Sequence, residues 1–94
     1  VFKTGEQLAE KGEHQRAAEA YLRAADEFPQ DPRAPKALYN AGLSLSRAGN
    51  LEGARGSFHV AMDGVTLSGE KDIMSAAWVN PLLVPPTQPV TLNS

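Results

Sequence analysis

Six residues of this chain return further along it at one fixed spacing, and that repetition constrains the fold more than any other feature. Gly5, Leu8, Gly12, Ala17, Tyr21 and Ala24 are answered by Gly42, Leu45, Gly49, Ala54, Phe58 and Ala61, each 37 positions on. A spacing that never drifts means two copies of one supersecondary unit. Within each copy Ala17, Tyr21 and Ala24, and again Ala54, Phe58 and Ala61, fall at helical periodicity, which predicts a small-residue face carrying one bulky aromatic. Gly12 and Gly49 fall where a preceding helix should stop, since glycine accepts the left-handed conformation that such an ending uses. Gly5 and Gly42 remove a side chain where one helix must lie almost against the next. Asn50 suits the cap of a following helix, with Glu52 in its first turn favourably set against the helix dipole. Asp31 and Pro32 are expected to supply the cap and first-turn proline of a third helix, in which Pro35 is tolerated.

These marks together resemble the tetratricopeptide repeat, whose pattern reads W-x2-L-G-x2-Y, then A-x3-F, then P. Leu38-x2-Ala41-Gly42-x2-Leu45 and Ala54-x3-Phe58 fill it in the second copy; Val1-x2-Thr4-Gly5-x2-Leu8, Ala17-x3-Tyr21 and Pro29 fill it in the first. Val1 and Leu38 stand at the usual tryptophan position, Thr66 stands at the closing proline of the second copy, and the period exceeds the family's usual ~34. The extra length lies in Phe28-Pro29-Gln30-Asp31-Pro32-Arg33-Ala34-Pro35. That connector is similar to those of bacterial envelope members of the family, the Tol-Pal-associated periplasmic repeat protein and the barrel-assembly lipoprotein. The resemblance implies an all-α, right-handed solenoid of helical hairpins. It implies a periplasmic or envelope setting, with the cytoplasm as the alternative.

The expected division is two repeats over 1–64 (1–29 and 35–64), a capping helix within 65–80 and an extended tail over 81–94. Ile73-x2-Ala76-Ala77-x2-Asn80 echoes the start of a third copy, with Ser68 as its cap and Glu70 and Asp72 in its first turn, until Pro81 ends it. Terminal units of repeat arrays need such a covering helix. Residues 81–94 hold four prolines and no charge, which predicts an extended polyproline-like run.

Composition narrows the partners. Nine basic and eleven acidic residues are scattered without a run of one sign, giving a net charge of −2, so neither nucleic acid nor an anionic membrane surface is an expected partner. No apolar stretch approaches the ~20 residues that span a bilayer. There is no cysteine for a disulfide or a thiolate metal site. His14 and His59 lack the H-E-x-x-H spacing of a zinc helix, Ser44 and Ser46 do not form G-x-S-x-G, and the glycines punctuate helices instead of cradling phosphate. No catalytic residue, metal, cofactor or small-molecule substrate is expected.

The resemblance also implies where a protein or peptide partner would sit. The first helices of each hairpin line a concave face, and the family's groove positions fall on Phe2, Lys3, Glu6, Ala9 and Glu10, then on Lys36, Tyr39, Asn40, Leu43, Ser46 and Arg47, with Met74 and Trp78 added by the capping helix. The peptide-binding set expected from this is Phe2, Lys3, Lys36, Tyr39, Asn40, Leu43, Arg47 and Trp78: an aromatic floor, one amide and flanking cations. Tyr39 and Leu43 read equally as interhelical packing, Trp78 as a core anchor of the capping helix, and the three cations as solvated charges. Glu6 and Leu43 stand where chaperone-tail binders of the family carry asparagine, so that specificity is not expected. The other functional class is structural: self-assembly into a homo-oligomer through the open repeat end or the proline-rich tail.

Overall fold

A computed structural model describes residues 2–61 and residue 74; Val1, the rest of the expected capping helix and the tail over 81–94 lie outside the described residues, as does the side chain of Phe2. Four helices follow one another: α1 (Phe2–Glu10), α2 (His14–Glu27), α3 (Ala34–Arg47) and α4 (Leu51–Ala61). The described residues contain no strand. Each helix packs on its neighbour in sequence, so the chain makes two hairpins, α1 with α2 and α3 with α4, joined by α2 against α3.

The turns inside the hairpins are built alike. Gly12 (φ 82°) and Gly49 (φ 88°) are the two glycines in the left-handed region among the described residues, and each closes the first helix of its pair. After Gly12 the Glu13 N–H donates to the Leu8 carbonyl, and after Gly49 the Asn50 N–H donates to the Leu45 carbonyl, at 3.0 and 2.8 Å. Asn50 then caps α4: its Oδ1 accepts the Gly53 N–H at 3.0 Å.

Asp31 behaves differently from the expectation. Helix α3 starts at Ala34 with Arg33 at its cap and Pro35 in its first turn, while Pro32 stays in the preceding turn. The Asp31 carboxylate turns onto Arg33 instead, accepting its backbone N–H at 2.8 Å and its guanidinium at 3.0 and 2.9 Å. Those bonds hold the Asp31 carboxyl at about 2, the guanidinium contact first and the backbone N–H second. The carboxylate thus locks the long connector between hairpins, two residues too early to cap the helix.

The repeat spacing is a packing code. The Tyr21 ring packs against Gly5, so close that a Cβ there would sit 2.6 Å from it, and Phe58 packs against Gly42 at the same 2.6 Å. Alanines let the backbones approach around each ring: Ala17, Ala24, Ala25, Ala34, Ala37 and Ala41 surround Tyr21, while Ala18, Ala54, Ala61, Leu43, Leu45 and Tyr39 surround Phe58. Met74, helical in backbone and fully buried, completes the second cluster.

This predicts opposite signs for two glycine substitutions. Gly42→Ala gains ~1 kcal/mol of helix propensity but drives a methyl into a fully buried ring, so a net loss of ~1–3 kcal/mol is expected. Gly56 lies in α4 with nothing within 4 Å of its would-be Cβ, so Gly56→Ala should gain ~0.5–1 kcal/mol. Urea melts of both variants that moved in the same direction would contradict the packing code.

Candidate functional site

Helices α1 and α3 are the first members of the two hairpins, and both pack against α2. Tyr21, from α2, is the residue that links them: its ring sits beneath Gly5 of α1 while its hydroxyl feels Glu6 and Glu10 of α1 and Asn40 of α3. Burial pushes the Tyr21 phenol well above its ordinary value, the carboxylates of Glu6 and Glu10 add to this, and the Asn40 side chain opposes it. Asn40 acts in the direction of a hydrogen bond, although no bond of good geometry reaches the buried hydroxyl among the described residues. The buried phenol is thus influenced by polar side chains of both α1 and α3.

The expected binding residues divide sharply. Lys3 and Arg47 are exposed and Lys36 is half-buried. Tyr39, Asn40 and Leu43 are at most 1% exposed, so they do not form the open floor expected of them. Met74 belongs to the same buried cluster as Tyr39 and Leu43, and the Tyr39 ring is further held against Phe58 at 5.7 Å between centroids, inclined by 56°. Tyr39, Leu43 and Met74 are all buried in that cluster. The side chain of Phe2, and Trp78 altogether, lie outside the described residues.

The repeat assigns Tyr21 to the core, and it is buried there; Phe58 stands at the same place in the second copy, so the hydroxyl is particular to the first. Glu6 and Glu10, one helical turn apart, were noted as groove positions but left out of the binding set.

The described residues hold no group of three or more histidines, cysteines, aspartates or glutamates placed to bind a metal ion, and no helix among them is long and apolar enough to cross a membrane.

Four helices without a strand, among the described residues, are consistent with a helical-repeat fold. Residues 1–31 match the family model described as tetratricopeptide repeat, which supports placement in a tetratricopeptide repeat family. No curated protein and no solved structure matches the chain. Tetratricopeptide repeats generally mediate protein–protein interaction and are typically not enzymes.

Proposed function

We propose that this chain is a protein-interaction module that holds a peptide, or an extended segment of a partner protein, along the face shared by α1 and α3. The observation that carries the reading is the match of residues 1–31 to the tetratricopeptide repeat model, a family that generally mediates protein–protein interaction, together with the exposed charged side chains of Lys3, Glu10 and Arg47 on α1 and α3. Lys3, Lys36 and Arg47 supply the charged rim, and the buried Tyr39, Asn40 and Leu43 hold α3 in place from beneath. Phe2 and Trp78 extend the same face at its two ends.

In this reading the two repeats, 1–29 and 35–64, stack as a right-handed solenoid, 65–80 is the capping helix and 81–94 the extended tail. The burial of Met74 against Tyr39 and Leu43 supports a capping helix on α3. It favours peptide binding over end-to-end assembly of copies through an open repeat end. The connector's likeness to envelope repeat proteins is the basis for proposing a bacterial envelope setting.

The test is to select short peptide ligands by display against the whole chain and to measure their affinity for the double variant Lys36→Glu, Arg47→Glu. Binding is expected to weaken by about tenfold or more, ~1.4 kcal/mol, with the helical circular dichroism unchanged. Affinity equal to that of the unaltered chain would remove these two residues from the site and with them the inner-face assignment.

A further inference from the structure

An apolar concavity lies elsewhere on the molecule. It measures about 710 Å³ and is lined by Leu22 of α2, Pro29 of the following turn, Pro35 and Leu38 from the start of α3, and Val60 from the end of α4. Asp26 is the one lining residue that carries charge. Val60 is 61% exposed, and Phe28, next to the groove's Pro29, is 46% exposed. Large apolar side chains left this open beside a groove mark a contact surface.

The sequence carries a segment of matching chemistry. Asp72 is the last charged residue, so the 22 residues from Ile73 to Ser94 bear no charge, and within them run Leu82-Leu83-Val84-Pro85-Pro86-Thr87-Gln88-Pro89-Val90. Proline-rich segments of this kind bind apolar grooves at small entropic cost because their backbone is already extended. Geometry brings the two together. Met74 is buried in a cluster against which Leu22 and Leu38, both lining the groove, are packed. Leu82 follows eight residues later, a tether that spans up to about 27 Å when extended, against a 26 Å middle dimension for the folded body. A segment held on so short a tether experiences an effective concentration on the order of millimolar, which makes even weak docking sufficient.

We propose that residues 82–90 occupy the groove between α2, α3 and Val60 of the same molecule, sealing the outer side of the junction between the two repeats. This outer groove is distinct from the α1 and α3 face, and the two sites are occupied independently.

The absence of cysteine allows a single nitroxide label at Thr91→Cys on the full chain. Paramagnetic broadening is expected at the amides of Leu22, Ala25, Leu38 and Val60, unchanged on dilution, and relieved by Val60→Asp, which alters an exposed side chain and should leave the circular dichroism as it was. Broadening absent from those amides, or concentrated on the α1 and α3 face, would overturn the proposal. Broadening that appears only between labelled and unlabelled copies, and fades on dilution, would assign the groove to a second copy's tail and equally overturn docking within one chain.

Discussion

Phe58→Ala is expected to cost ~3–5 kcal/mol, a large part of the ~5–15 kcal/mol that holds a domain of this size together. The ring is fully buried, rests on the Gly42 backbone and leans on Tyr39, so its removal leaves a cavity bounded by two helices that cannot simply close. At ~4–8 °C per kcal/mol, the thermal midpoint should fall by more than ~12 °C. A second arm of the experiment isolates the mechanism. Once the ring is gone, the methyl of Gly42→Ala has nothing to strike, so its penalty should disappear and its helix propensity should emerge as a small gain. A Gly42→Ala penalty that persisted in the Phe58→Ala background would mean that the glycine serves something other than the ring above it.

Met74→Ala comes next in size, at ~2–5 kcal/mol, because its side chain is wholly buried among Tyr39, Leu43, Phe58 and Ala61. The prediction reaches further than one residue. Met74 lies 13 positions beyond the end of α4, so a large loss would show that chain outside the two hairpins is part of the cooperative fold. Urea unfolding read by circular dichroism measures it. A change within ~0.5 kcal/mol, the usual range for an exposed position, would show that residue 74 is not seated and that Tyr39 and Leu43 are open after all.

What was legible in the sequence follows a physical rule. Gly5 with Tyr21, and Gly42 with Phe58, are partners inside one hairpin, 16 residues apart, and their geometry recurs because the hairpin recurs; the spacing of 37 therefore exposed helices, turns and crossings together. Asn50 was legible for the same reason, as a cap acts within four residues of itself. Asp31 was misread because its choice between capping α3 and binding Arg33 depends on where Pro32 places the turn. The burial of Tyr39, Asn40 and Leu43 is set at longer range. Position within a repeat gives the side of α3 on which they lie, but not that Tyr39 and Leu43 share a buried cluster with a methionine more than thirty residues away. The outer groove was invisible: Leu22, Pro29, Pro35, Leu38 and Val60 come from three helices and a turn and share no period.

The most direct test of the central claim is to locate a bound peptide. Amide chemical-shift mapping of the full chain with a display-selected peptide should move Lys3, Glu6, Lys36, Asn40 and Arg47, on the face between α1 and α3, and leave Leu22, Ala25 and Val60 in place. Shifts confined to Leu22, Ala25, Leu38 and Val60, with the inner face silent, would contradict the account and make the outer groove the partner site.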